Sequence, residues 1–96
     1  LAGTNDLPGC TVDLEQRTVT RDGTTSELSQ REAELLRYLA SARGHPVSRD
    51  EILQRVWGLD PHGITTRTID MHIARLREKI SDEALKTVRG QGYMLL

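Results

Sequence analysis

Arginine side chains in the last third of the chain carry its clearest binding chemistry. Arg75 and Arg77 lie two residues apart in the sequence, and Arg89 directly precedes the sequence Gly90-Gln91-Gly92. A guanidinium group presents its N–H donors in a planar fork, which fits the O6 and N7 atoms of guanine or the oxygens of a phosphate. From Thr66 to Leu96 basic residues outnumber acidic ones six to four, whereas from Leu1 to Thr65 acidic residues outnumber basic ones ten to seven. The net charge is only −1, so this asymmetry is a mild indication of a polyanionic partner.

Patterns typical of enzymes and metal sites are missing from the sequence. The histidines are scattered, and no helix carries a pair of them at the spacing of a zinc site: His45, His62 and His72. Ser29 and Ser48 each begin a Ser-x-x-Glu sequence, which explains them better as helix caps than as nucleophiles. Cys10 is the single cysteine, which excludes an intrachain disulfide and a cysteine-based zinc site. The sequence therefore predicts a protein that is not an enzyme and has no cofactor or metal.

Three helices are predicted from capping sequences and from the spacing of apolar residues. The first begins after Ser29 and extends to about Ala42, before a glycine and a proline that prevent its continuation. The second begins after Ser48, also in a capping box, and ends at Trp57 with Gly58 as C-cap. A loop then leads to the third helix, which spans about 66–80 and is capped by a threonine.

The third predicted helix has two distinct faces. Apolar residues recur at spacings of four, three and four, so one stripe is expected to be buried: Ile69, Ile73, Leu76 and Ile80. The opposite face is expected to be exposed: Arg67, Met71, Ala74 and Glu78, with Arg75 at its edge. Arg77 lies on one flank with Asp70, and the other flank holds Thr68, His72 and Lys79. Such a helix suits the major groove of DNA, where arginine binds guanine, a small apolar side chain touches a thymine methyl, and flanking polar side chains contact phosphates.

Short strands are predicted near both ends of the chain. Alternation and turn residues favour strands over 10–14, 17–21, 24–27, 86–88 and 93–95. The last two form a hairpin around Gly90-Gln91-Gly92 that carries Arg89 at its tip. Residues 1–8 show no pattern and are interpreted as a linker remnant, so that 9–96 forms one folded domain.

Two helices followed by a basic hairpin form the pattern of a helix-turn-helix with a wing. From about Cys10 to Leu95 the sequence resembles the effector domain of OmpR/PhoB-type response regulators. The matching segments are Leu28–Glu32, Pro46–Leu53, Val56–Gly58, Arg67–Arg77 and Thr87–Tyr93. The resemblance implies an α+β winged helix-turn-helix fold with an N-terminal four-stranded antiparallel sheet, three helices and a C-terminal β-hairpin wing. It also implies a short strand at Pro46–Ser48.

The resemblance implies sequence-specific binding of double-stranded DNA for transcriptional regulation. Arg75 and Met71 are then expected to contact bases, and Arg89 to enter the minor groove. Ala74 faces the bases too, although many members have a polar residue there, and Glu78 adds a carboxylate to the same face. The residues expected at the DNA backbone are Arg67, Thr68, His72, Arg77, Trp57, Thr87 and Tyr93. For Trp57 and Tyr93, a role as core aromatics with a satisfied polar tip is an equal alternative.

Further expectations concern partners and location. The resemblance implies a receiver domain in the full-length protein and a head-to-tail pair on DNA. The domain alone is expected to be a monomer, because the sequence shows no large apolar patch. It also implies that a loop contacts RNA polymerase: Leu59, Asp60, Pro61, His62 and Gly63. The sequence shows no membrane-spanning stretch, and a cytoplasmic location is expected. The alternative function is a winged helix used for protein contacts, whose signature would be apolar residues on the outer face of the third helix, where only Met71 and Ala74 qualify.

Overall fold

The computed structural model describes residues 4–59 and 67–96 and has the predicted α+β architecture. A four-stranded antiparallel sheet comes first in the chain, three helices follow, and a two-stranded hairpin ends the domain. The elements are β1 Thr4–Leu7, β2 Cys10–Asp13, β3 Thr18–Arg21, β4 Thr24–Glu27, α1 Gln30–Ser41, α2 Arg49–Val56, α3 Arg67–Lys79, β5 Leu85–Val88 and β6 Gly92–Leu95.

The N-terminal sheet contains one strand more than the residue pattern predicted. The interpretation of Thr4–Leu7 as linker is wrong, because these residues form β1 and pair with β2 in the register Leu7 to Cys10. Leu7 is buried, and Pro8-Gly9 forms the connecting turn, with Gly9 at φ 84° as a Pro-Gly turn requires. Arg43 holds this strand from the helical side by donating to the Asp6 carbonyl at 2.6 Å. The folded domain therefore includes Thr4–Leu7.

The two predicted capping boxes form to different extents. At α1 both halves are present: the Ser29 hydroxyl accepts from the Glu32 amide at 3.1 Å, and the Glu32 carboxylate accepts from the Ser29 amide at 2.7 Å. At α2 the Ser48 hydroxyl accepts from the Glu51 amide at 3.1 Å. The Glu51 carboxylate, however, accepts from the Tyr38 hydroxyl of α1. The prediction of a complete second box is wrong, because Tyr38 offers this carboxylate a tertiary partner.

The hydrophobic core forms where the helices cover the N-terminal sheet. The predicted stripe of α3 is fully buried, with no member more than 1% exposed: Ile69, Ile73, Leu76 and Ile80. Val12 and Val19 pair across β2 and β3 and are equally buried. This burial holds α3 by its apolar face, so its opposite face is presented outward.

The hairpin β5–β6, which we call the wing, is attached to the segment between α1 and α2. Val47 and Tyr93 exchange both backbone hydrogen bonds, at 2.7 and 2.9 Å, so the short strand implied at Pro46–Ser48 is present as a single bridge at Val47. Gly92 lies against this bridge with φ 126°, and a Cβ placed there would stand 1.9 Å from the Val47 carbonyl oxygen. The wing can therefore reach this position only with glycine at 92.

Candidate nucleic-acid interface

The outer face of α3 is exposed as the sequence predicted. Met71 is 49% exposed and is, with Leu59, one of the two large apolar side chains exposed among the described residues. Arg67, Ala74, Arg75 and Glu78 are exposed beside it. The face is therefore a mixed surface with arginines around one methionine, which suits contact with base edges.

Arg75 on α3 and Arg89 on the wing are both free to meet a ligand. Both are exposed, and neither forms a hydrogen bond or ion pair with residues 4–59 or 67–96. Arg89 stands at the tip of the wing, where the Gln91 amide closes the turn onto the Val88 carbonyl at 2.9 Å. Their guanidinium donors remain available to an external acceptor.

Arg77, in contrast, is engaged within the domain. Its Nε donates to the Leu85 carbonyl at 2.9 Å and its Nη2 to the Thr87 hydroxyl at 3.1 Å. Thr87 is exposed and keeps its own hydroxyl proton for another acceptor. Arg77 and Thr87 thus both lie at the predicted surface, but Arg77 uses two of its N–H donors to hold β5 against α3.

Tyr93 is buried, and its polar end is satisfied inside the domain. Its hydroxyl donates to Asp70 Oδ1 at 2.6 Å, and Arg49 Nε donates to the same oxygen at 2.8 Å. Burial raises the pKa of Tyr93, as does the Asp70 carboxylate, so the hydroxyl keeps its proton at neutral pH and donates it. This burial supports the interpretation of Tyr93 as a core aromatic with a satisfied polar tip.

Trp57 and His72 form an aromatic pair beside α3. Their ring centroids lie 5.1 Å apart in an edge-to-face arrangement, and the Arg31 guanidinium lies 5.1 Å from the Trp57 ring. His72 Nδ1 lies 2.8 Å from the Thr68 carbonyl oxygen. Because a carbonyl can only accept, Nδ1 is the donor in this hydrogen bond.

Lys79 lies on the predicted flank of α3 but turns towards α1. Its Nζ donates to Glu32 Oε1 at 2.8 Å and to the Glu27 carbonyl at 2.9 Å. Burial alone would raise the pKa of Glu32, but the hydrogen bonds from Lys79 and from the Ser29 amide outweigh burial and lower it. Lys79 therefore neutralises a buried carboxylate, and its ammonium group is engaged within the domain.

Comparison with known proteins places this arrangement in a family. Residues 23–95 match the family model described as "Transcriptional regulatory protein, C terminal". The chain belongs to this family, that of OmpR/PhoB-type effector domains. The transcriptional regulatory protein TrcR of Mycobacterium tuberculosis is 48% identical over 88 residues, which cover 88% of this chain and 34% of that protein. The chain of this effector domain spans about a third of the length of the curated relatives it matches.

Solved structures show the same fold as this effector domain. The RstA DNA-binding domain of Klebsiella pneumoniae, in complex with RstA box, has a TM-score of 0.78 and 33% identity and covers 96% of this chain and 95% of its own. The response regulator DrrB of Thermotoga maritima, an OmpR/PhoB homologue, has a TM-score of 0.80 and 31% identity and covers 97% of this chain and 44% of its own. The winged helix-turn-helix prediction is confirmed, and the family is one of transcription regulators rather than of enzymes.

Part of the expected interface of the effector domain lies outside the described residues. The loop expected to contact RNA polymerase includes Asp60, Pro61, His62 and Gly63, which fall in the range 60–66, as do the threonines expected to cap α3. Leu59, the first residue of that loop, is 41% exposed.

Within residues 4–59 and 67–96, no helix has the length and apolar character to cross a bilayer. In the same ranges, no group of His, Cys, Asp or Glu side chains is arranged to hold a metal ion.

Proposed function

We propose that this effector domain binds double-stranded DNA in a sequence-specific manner, with α3 in the major groove and the wing at the minor groove. The observation that carries this proposal is the outer face of α3, where Arg75 is exposed and unpaired within the described residues while the opposite face is anchored in the core. The RstA domain, which has the same fold, has been solved in complex with RstA box. A helix with its side chains is about as wide as the major groove, roughly 12 Å.

Base recognition is assigned to Arg75, Met71 and Ala74. Arg75 can bind guanine through its forked donors, and Met71 and Ala74 can touch thymine methyl groups. Among the described residues Met71 is the one large exposed hydrophobic side chain on α3, and arginines surround it. This composition favours DNA over a protein partner, whose contact face would be richer in apolar residues.

Backbone and minor-groove contacts are assigned around this face. The phosphate assignments are Arg67, Thr68, His72, Arg77, Trp57 and Thr87. Thr87 is supported by its exposed hydroxyl, while Arg77 donates to Thr87 and keeps its remaining N–H donors for a phosphate. Tyr93, the remaining candidate, is assigned to the core instead, because its buried hydroxyl donates to Asp70. Arg89 is assigned to the minor groove, because an arginine on a thin hairpin tip can enter a narrow groove of strongly negative potential.

The assembly is proposed to be a monomer alone and a head-to-tail pair on DNA. Among the described residues the large exposed hydrophobic side chains are Leu59 and Met71, too few for a stable apolar dimer interface. The family and the length of the relatives support a receiver domain in the full-length protein and a cytoplasmic location. A contact of the loop at Leu59–Gly63 with RNA polymerase rests on the family resemblance.

Selection from a random duplex library, followed by salt titration of the enriched duplex, tests the proposed function. We expect enrichment of a short motif, and a log–log salt slope of about 0.9 for each phosphate contacted, because binding releases condensed counterions. Arg37→Ala is a matched control, since Arg37 is an exposed arginine on α1 that is not among the residues assigned to DNA. This variant should bind as the wild type does. A selection without enrichment would contradict sequence-specific recognition, and a salt slope near zero on the unselected duplex pool would contradict DNA binding itself.

A further inference from the structure

We propose that Tyr93, Asp70, Arg49 and Arg77 form a positioning cluster that sets the wing at a fixed place relative to α3. We call these residues the Tyr93 cluster. The inference rests on the proposed DNA binding and deepens it, because it assigns to a buried tyrosine the control of how the two groove contacts are spaced. Tyr93 acts in this account through the wing and not by touching DNA.

Three elements of the domain meet at one carboxylate oxygen. Asp70 lies in the first turn of α3, and its Oδ1 accepts from the Tyr93 hydroxyl of β6 at 2.6 Å and from Arg49 Nε at the start of α2 at 2.8 Å. The Arg49 guanidinium also lies 5.6 Å from the centre of the Tyr93 ring, within the range of a cation–π contact. A shift of β6 relative to α3 would therefore break the hydrogen bond from Tyr93 to the Asp70 carboxylate, and a shift of β6 relative to α2 would disturb the contact of Arg49 with the Tyr93 ring.

A second attachment binds the other strand of the wing to the same side of α3. Arg77 lies two helical turns after Asp70, so both side chains project from one flank. Arg77 donates to the Leu85 carbonyl at 2.9 Å and to the Thr87 hydroxyl at 3.1 Å, both on β5, and its guanidinium lies 6.0 Å from the Tyr93 ring. Asp70 thus holds β6 while Arg77 holds β5.

The wing needs such attachments because it is a hairpin of only two strands. An isolated hairpin of this size is marginally stable in water, and its orientation depends on what it packs against. Arg89, at its tip, makes no hydrogen bond or ion pair within residues 4–59 and 67–96, so its place relative to Arg75 is determined by the base of the wing. The Val47–Tyr93 bridge attaches the wing to the segment before α2, and the Tyr93 cluster attaches it to α3, so the cluster relates the minor-groove contact to the major-groove contact.

The variant that tests the cluster is Tyr93→Phe, which removes the hydroxyl and keeps the buried ring. Tyr38→Phe is the matched control, because the Tyr38 hydroxyl also donates to a carboxylate, that of Glu51. Glu51 lies two residues after Arg49, and therefore on the other side of α2 from the arginine that contacts Tyr93. We expect Tyr93→Phe to weaken binding of the selected duplex about three- to tenfold, the equivalent of one hydrogen bond. In an Arg89→Ala background the added loss should fall below about twofold, because both changes act through the same wing contact. Tyr38→Phe should leave affinity unchanged in both backgrounds.

A measurement without DNA separates this inference from the proposed function. Residual dipolar couplings of backbone amides in β5–β6 and α3 report the orientation of the wing relative to the helix. We expect Tyr93→Phe to change that orientation or broaden its distribution, and Tyr38→Phe to leave it as in the wild type. Unchanged couplings in Tyr93→Phe, or an undiminished loss of affinity in the Arg89→Ala background, would overturn the positioning role, even if stability falls. If the wild type fails to bind duplex while the couplings of Tyr93→Phe still change, the DNA-binding proposal fails and the structural role of the cluster stands.

Discussion

Replacement of Arg75 by alanine is expected to weaken binding of the selected duplex by about 1–3 kcal/mol, which corresponds to roughly five- to 150-fold. The physical reason is the loss of a forked pair of hydrogen bonds to one guanine, which leaves the guanine acceptors facing an emptied site. Arg75 is exposed and has no partner within the described residues. Its removal therefore breaks nothing inside the domain, and stability should not change measurably.

The comparison that checks this expectation uses the selected duplex and a scrambled duplex of the same composition. Arg75→Ala should lose affinity mainly for the selected duplex, so that the ratio between the two falls. Arg67 is assigned to the DNA backbone, so Arg67→Ala should weaken binding of both duplexes alike. It should also lower the magnitude of the log–log salt slope by about 0.9, the contribution of one phosphate contact. Equal weakening of both duplexes by Arg75→Ala would reassign Arg75 to a phosphate.

Replacement of Gly92 by alanine is expected to destabilise the domain by about 2–4 kcal/mol, through the strained backbone and the broken strand bridge. The added Cβ would stand 1.9 Å from the Val47 carbonyl oxygen. The chain can relieve that overlap only by separating Tyr93 from Val47, whose two backbone hydrogen bonds attach the wing. For a domain of this size the melting temperature should fall by roughly 10 °C or more.

Gly90→Ala is the matched control for Gly92→Ala. Gly90 also has a positive φ, 76°, but a Cβ added there would meet no atom within 4 Å. Only the left-handed backbone conformation then opposes the substitution, at a cost of about 1 kcal/mol. A comparison of the thermal unfolding of the two variants therefore separates the cost of the backbone conformation from the cost of the clash with the Val47 carbonyl oxygen. Equal destabilisation by both substitutions would show that the Val47–Tyr93 bridge is not needed to hold the wing.

Local patterns were sufficient to predict the elements that carry the interface. The apolar repeat from Ile69 to Ile80 placed α3 and its exposed face correctly, because burial on one side of a regular helix determines what the other side presents. The box at Ser29 also placed the start of α1. Strand β1 was missed because Leu7 is its one strongly apolar residue, although Pro8-Gly9 was an available turn signal.

The side-chain partners within the interface could not be predicted from the sequence. Asp70 lies 21 residues from Arg49 and 23 from Tyr93, and no local spacing relates residues at such separations. Lys79 occupies the flank of α3 that the helical wheel gave it, but only the packing of α1 against α3 brings the Glu32 carboxylate within reach. Sequence periodicity thus identified which residues are exposed, while the fold determines which of the cations are already paired.

The measurement that tests the central claim most directly is a nuclear magnetic resonance titration of the isotope-labelled domain with the selected duplex. Chemical-shift changes report which residues meet the ligand, including the guanidinium groups of Arg75 and Arg89. The account predicts that the largest changes occur along the outer face of α3 and at the tip of the wing. It also predicts little change in the N-terminal sheet. Large changes confined to the sheet or to the exposed side of α1, with Arg75 unaffected, would contradict recognition of DNA by α3.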